Sequence, residues 1–277
     1  AYYFAFLQNI YYYLVRLIRW RIAMNASQRK EFIIQKVNED SDIKIADIAK
    51  LTNVSRETIR KDIYELGEKN LLKVVRGGAS SISGKIKETN FNIRKNTNIL
   101  EKKQISRFAL NYISDNSSIF LDFGSTAMML AEEINLASFK DLTVVTNSLN
   151  AFNVLHTRKN IQLILLGGML RTSENSLSGP VALESIDNIY CNIGFFGCGG
   201  LDVKAGLTNH YLMEIEVSRK MMTHCERNIV LADHSKFNKK ALYQTTTLDK
   251  LDNIITDKKS TDIPEDLLNR PKFIQFA

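Results

Sequence analysis

The chain has 277 residues, 44% of them hydrophobic and 24% charged, and a formal net charge of +7. This is globular composition, long enough for one large domain or two unequal ones. Its three cysteines, Cys191, Cys198 and Cys225, are too few and too oddly numbered for a disulfide framework, and point instead to a reducing cytoplasm and small buried side chains.

The charge is unevenly placed. Residues 24–95 carry 15 Lys and Arg against 10 Asp and Glu, residues 1–23 carry three Arg, and residues 96–277 carry 19 basic against 20 acidic side chains. A basic N-terminal module ahead of a nearly neutral domain is the distribution of a small nucleic-acid-binding unit joined to a larger partner.

Residues 1–23, AYYFAFLQNIYYYLVRLIRWRIA, place their arginines after the apolar run, the reverse of a signal peptide. Gln8 and Asn9 interrupt a run already short of the ~20 apolar residues that a spanning helix needs. The stretch is expected to be a mis-read or truncated reading-frame extension outside the fold. A membrane-surface segment, with Arg16, Arg19 and Arg21 at the headgroups, is the alternative.

Met24 opens a domain spanning 24–80. A helix is predicted from 27 to about 38, with Phe32, Ile33 and Val37 inward. A short one follows over 44–51, with Ile45, Ile48 and Ala49 at i, i+3, i+4. A tight turn, TNV, leads into NVSRETIRKDIYEL. There Ser55 is a good N-cap residue, and Ile59, Ile63 and Leu66 form one apolar stripe. Arg60, Tyr64, Glu57 and Lys61 fall on the opposite face, with Arg56 at the border. A merely solvated helix has the same pattern, so its neighbours decide. The spacing of two helices across a short turn is that of a helix-turn-helix. Residues 71–75 are β-rich, and Arg76-Gly77-Gly78 can turn tightly beside a phosphate, which makes a wing.

Residues 81–98 are polar, without a clean period, and read as a linker. The domain 99–277 begins with a helix near 100. Beyond it, SSIFLDFGST, LTVVTNS, IQLILLGG, NIGFFGCGGLD, RNIVLADHS and LDNIITD are apolar runs ending in small or polar residues, with helical stretches such as AMMLAEEI and MEIEVSRKMM between several of them. This alternation predicts an α/β fold around a buried, mainly parallel sheet, whose ligands collect beyond the carboxyl ends of the strands.

In LDFGSTAMML, a strand, a glycine turn and a helix succeed one another. The amides of Gly124, Ser125 and Thr126 would face an anion at a helix N-terminus; a capped helix with nothing bound is the bland alternative. In ADHSKF, Lys236 stands just after a strand end, where an ammonium suits a phosphate or sugar oxygen; a surface lysine is the alternative. GCGGLDVKAGLT is not a dinucleotide fingerprint. No G-x-S-x-G, H-E-x-x-H or C-x-x-C occurs, which argues against common hydrolase and metal arrangements, and no cofactor is called for.

The segment VSRETIRKDIYELGEKNLLKVVRGGAS, followed in order by LDFGST, VVTNS, LLGGMLR, GLT…E and ADHSKF, resembles the signature of the DeoR-type bacterial transcriptional regulators over roughly residues 27–257. The resemblance implies a winged helix-turn-helix and an effector domain related to sugar-phosphate isomerases. It implies further a cytoplasmic oligomer, dimer or tetramer, that represses a carbohydrate-metabolism operon and leaves double-stranded operator DNA on binding a phosphorylated sugar. By position, Ser55, Arg56, Glu57, Thr58, Arg60 and Lys61 fall on the recognition helix and Arg76 on the wing. Asp122, Gly124, Ser125, Thr126, Asn147, Asp202, Glu214 and Lys236 fall on the effector pocket. The usual Gly-Thr-Thr is Gly-Ser-Thr, Thr208-Asn209 stands for a Thr-Thr pair, and Ser218 replaces a common Lys. Gly-Ser-Thr and Asp-x-Ser-Lys also resemble ribose-5-phosphate isomerase. A sugar-phosphate isomerase, with Glu214, Glu216 or Asp202 as carboxylate base, is therefore the rival reading. It leaves the winged helix without a role, and the isomerase's Lys-Gly-Gly-Gly run is absent.

Overall fold

A computed structural model describes residues 25–40, 42–69, 71–80, 88, 91–257, 263–270 and 273–277. The extension 1–23 and most of 81–90 lie outside these. The chain divides into two compact units, 1–85 and 86–277.

In the first unit, α1 (Ala26–Asp40), β1 (Asp42–Lys44), α2 (Ile45–Thr52) and α3 (Arg56–Glu68) are followed by β2 (Lys73–Val75) and β3 (Gly78–Ser80). Asn53 ends α2 in the left-handed region at φ 54°, which Asn tolerates. Two residues on, Ser55 caps α3 by accepting the Thr58 amide at 3.1 Å. Ile33, Val37, Ile48, Ile59, Ile63 and Leu66 form the core between the helices. The apolar stripe of α3 also carries Asp62, whose carboxylate is buried and accepts from Arg29 Nε of α1 at 2.5 Å. The sheet has the order β1-β3-β2. Gly77 turns the wing at φ 83°, and a Cβ on Gly78 would lie 1.8 Å from the Ile43 carbonyl oxygen, so only glycine lets β3 lie against β1.

The second unit opens with α4 (Phe91–Asn96) and α5 (Ile99–Ala109). The polar stretch read as a linker thus contains a short helix. Phe91 is buried and Arg94 is held by ion pairs, so tertiary contacts, not periodicity, make that helix. Then come β4 (Ser118–Leu121), α6 (Ser125–Leu136), β5 (Leu142–Thr146), α7 (Leu149–Leu155) and β6 (Ile161–Leu165). A hairpin, β7 (Met169–Arg171) and β8 (Ser176–Ser178), precedes α8 (Pro180–Ile186) and β9 (Cys191–Phe196). The chain continues through β10 (Gly200–Asp202), β11 (Gly206–Asn209), α9 (Leu212–Thr223), β12 (Cys225–Leu231), a 3-10 turn over His234–Lys236 and β13 (Tyr243–Thr246). It closes with β14 (Asn253–Thr256), α10 (Glu265–Leu268) and β15 (Ile274–Phe276).

Seven strands pair in the order β15-β14-β12-β9-β4-β5-β6, every pair parallel. Alternate residues of each strand serve opposite faces. Ile119, Leu121, Phe195, Ile229 and Leu231 pack with α5, α6 and α7. Phe120, Phe196 and Val230 pack with α8, α9 and α10. Both faces are covered, which is why the strands read as unbroken apolar runs. The chain leaves β4 for β5 and β6, then returns to β9 on the other side of β4. The order therefore reverses between β4 and β9, and a crevice opens beyond their carboxyl ends. The small sheet β10-β11-β13 stands beside it.

Candidate functional site

The first unit presents a polar face. Ser55, Arg56, Glu57, Arg60, Lys61 and Tyr64 are exposed on α3, Thr58 is half-buried, and Arg76 is exposed on the wing turn. Ser55 is committed to the cap, its hydroxyl also 2.8 Å from Thr58 Oγ1. Arg60 donates to Glu57 at 2.8 Å, a pair open to water on both sides. Such a pair is weak and exchangeable, so the Arg60 guanidinium can leave Glu57 for a stronger anion.

The second unit holds a small cleft of about 90 Å³, partly open to solvent, at the reversal between β4 and β9. It is lined by Phe123, Gly124, Ser125 and Thr126 after β4, Gly197, Cys198 and Gly199 after β9, Leu231 and Lys236 from β12 onward, Asn209 and His210 at the end of β11, and Glu88 and Arg94. Gly124, at φ 107°, is the N-cap of α6. Its left-handed backbone turns the chain so that the first amides of a twelve-residue helix open on the cleft. Asp233, buried, accepts from the Ser235 amide at 3.0 Å and from Asn98 Nδ2 at 2.9 Å, which fixes the turn that carries Lys236. Burial would raise the Asp233 carboxyl, but Lys236, Ser235 and Lys102 outweigh it and hold it below the usual carboxylate range. Lys102 is buried behind α4, donating to the Thr97 carbonyl at 2.8 Å and to that of Arg94. Burial brings its ammonium down to about 7. Burial also holds the Cys198 thiol up, at about 12, so it is no nucleophile.

Of the residues assigned to the pocket from sequence, Gly124, Ser125, Thr126 and Lys236 line the cleft together. Four do not. Asp122 is buried behind it, accepting from Ser218 Oγ at 3.1 Å and from the amides of Phe123 and Gly197, so that it ties the ends of β4 and β9. Burial pushes its carboxyl up to about 8. Asn147 is buried against β8, its amide group donating to the Leu177 carbonyl at 3.3 Å. Glu214 is buried under Arg171, which donates to it at 2.6 Å, and under Ser176; burial raises its carboxyl. Asp202 closes the β10–β11 turn by accepting the amides of Lys204 at 2.9 Å and Ala205 at 2.8 Å. These bonds hold it low. Its carboxylate serves the turn, not the cleft.

Sequence reasoning missed Glu88, Arg94, Asn209 and His210 as lining residues. The signal for Arg94 was the apolar pair Phe91 and Ile93 just before it in a largely polar run. Among the described residues, no helix is long and apolar enough to cross a membrane, and no group of three His, Cys, Asp or Glu is placed to hold a metal ion.

A winged helix-turn-helix ahead of a ligand-sensing α/β domain defines a class of transcriptional regulators. The family models agree: a DeoR-like helix-turn-helix domain matches residues 29–85, and a DeoR C terminal sensor domain matches 97–258. The chain belongs to the DeoR family. The HTH-type transcriptional regulator GolR of Listeria innocua is 33% identical over 84% of this chain and 91% of its own. The glycerol-3-phosphate regulon repressor of Escherichia coli is 30% identical over 84% of this chain and 92% of its own. Ribose 5-phosphate isomerase A of Methanocaldococcus jannaschii aligns over 53% of this chain and 56% of that one, at 17% identity and a TM-score of 0.38, too slight a likeness to carry an argument.

Proposed function

We propose that the protein represses a carbohydrate-metabolism operon and leaves its operator when a phosphorylated sugar occupies the sensor cleft. The observation that carries this reading is the convergence of the α6 N-terminus, Lys236 and Arg94 on one cleft at the sheet's reversal point. Amides, an ammonium and a guanidinium together suit a phosphate. Arg56, Arg60, Lys61 and Arg76 contact the DNA, with Ser55, Glu57 and Thr58 at the head of the recognition helix. The phosphate sits on Gly124, Ser125 and Thr126 with Lys236 at its oxygens, and Asn209 and His210 face the sugar. Asp122 and Asn147 act from behind, as the tie between strand ends and as a support for β8. Glu214 acts through Arg171. The repressor works as a dimer or tetramer, since a helix-turn-helix reads paired half-sites.

An isomerase needs a carboxylate free to take a carbon-bound proton. Glu214 is engaged by Arg171 and Ser176, Asp202 lies outside the cleft, and Glu216 is not among the lining residues. The arrangement favours a sensor.

A thermal-shift screen of phosphorylated sugars, followed by operator binding with and without the hit, tests the proposal. A sugar phosphate that stabilises the protein and weakens operator binding is expected. Sugar phosphates that bind without changing operator affinity would overturn the coupling.

A further inference from the structure

Arg94 and Arg171 share three carboxylates. Each guanidinium holds one buried partner, Arg94 with Glu174 and Arg171 with Glu214, and both reach the third, Glu88. The Glu174 and Glu214 side chains are each 1% exposed, and neither lines the cleft, whereas Glu88 does. Two guanidiniums are balanced by two carboxylates, so a third is in excess. The excess is felt: burial together with the charge of Glu88 pushes Glu174 up to about 7 and raises Glu214. Glu88 itself stays below its usual range, because Arg94, Arg171 and His210 outweigh the effect of its burial.

We infer that Glu88 is a resident anion of the sensor cleft, whose carboxylate competes with an incoming phosphate for the Arg94 guanidinium and gives way when the phosphate binds. This rests on reading the cleft as an anion site. The exchange is like for like, because carboxylate and phosphate both accept charge-assisted hydrogen bonds from a guanidinium. It leaves no buried cation alone, since Arg94 keeps Glu174 and Arg171 keeps Glu214. It favours phosphate because a phosphate on Arg94 is also within the cleft that presents the α6 amides and Lys236. Of the three carboxylates, Glu88 is the least buried, its side chain 14% exposed against 1% for each of the others, and it lines the cleft.

The test is calorimetric titration of the full chain with inorganic phosphate, which has no hydroxylated carbon skeleton for a carboxylate to recognise. Glu88→Gln keeps the shape and removes the charge. It should bind phosphate about tenfold more tightly than the parent, the scale of one charge-assisted hydrogen bond no longer opposed. Lys236→Ala, measured alongside, should bind more weakly. Unchanged or weaker phosphate affinity in Glu88→Gln, with Lys236→Ala still weakened, overturns the inference and leaves the anion cleft standing. Phosphate affinity indifferent to Lys236→Ala overturns the cleft reading itself. If Glu88→Gln does not fold, Glu88→Asp retracts the same charge by one methylene. Tighter phosphate binding is then expected, and affinity at or below that of the parent overturns the inference.

Discussion

Asp122 shows how one buried carboxyl sets a pH profile. Its folded pKa stands at about 8 against an ordinary 3.8. Between those values the folded chain keeps a proton that the unfolded chain has released. Stability therefore falls as pH rises through that window, by up to about 1.4 kcal/mol per pH unit. In Asp122→Asn that contribution disappears, and the amide oxygen still accepts from a backbone amide. Urea unfolding from pH 5 to 8 should show the variant gaining on the parent as pH rises; a constant difference would mean that the carboxyl is ionised in the fold. Arg60 carries the second prediction at this scale. Its guanidinium lies on the exposed face of α3, away from the core residues Ile59 and Ile63. Arg60→Ala should then cost ~1–3 kcal/mol of operator affinity without loss of helix content. A gel-shift titration beside circular dichroism separates the two; full affinity in a folded variant removes Arg60 from the interface.

At the scale of elements, the buried pair of Arg29 and Asp62 fastens α1 to α3. Asp62→Ala removes a buried partner of Arg29 and should cost up to about 3–5 kcal/mol. Thermal unfolding would show the winged-helix transition falling well below that of the sensor; a shift under a degree would mean that this pair does not fasten the two helices. The elements also show what was legible in the sequence. The strand runs around Phe120, Val145, Leu163, Phe195, Val230 and Ile254 could be read because a sheet covered on both faces demands continuous apolar sequence. So could α3, whose cap and stripe are local. β1, the β7–β8 hairpin and β10-β11-β13 were illegible: each strand has three or four residues, too few to show a period, and each forms because a neighbour supplies its hydrogen bonds. α4 was hidden likewise, since Phe91 and Arg94 make sense only against residues some eighty positions on, such as Glu174. Within the cleft, the lining by Gly124, Ser125 and Thr126 was legible because a strand, a glycine and a helix are consecutive. Asp202 and Glu214 do not line the cleft, and a carboxylate looks the same in sequence whether it caps a turn, neutralises an arginine or faces a ligand.

For the whole molecule, the sensor and the reading head are separable in their effects. Lys236→Ala removes an ammonium from the cleft and touches nothing in the first unit's sequence. It should weaken sugar-phosphate binding while ligand-free operator affinity stays at the parent's level, giving a repressor that no longer responds. Calorimetry and operator titration on the same variant are the check; lost DNA binding with normal ligand affinity would assign Lys236 to folding or assembly. Operator affinity of the intact protein should also fall steeply as salt rises, because phosphate contacts release counterions. A flat salt dependence would contradict a basic reading head.

The strand order has a consequence during synthesis. The described secondary structure of the winged helix lies within residues 26–80, so its contacts are short in sequence and can form as soon as that segment clears the ribosome. The sensor cleft cannot close so early. Its floor pairs β4 with β9, and Lys236 follows β12. At 5–20 residues per second, roughly 10–30 s of translation separate Ser80 from Lys236. For that interval a nascent chain carries a reading head and an unfinished sensor cleft. A transcript cut short in that region would leave a DNA-binding head without its sensor domain.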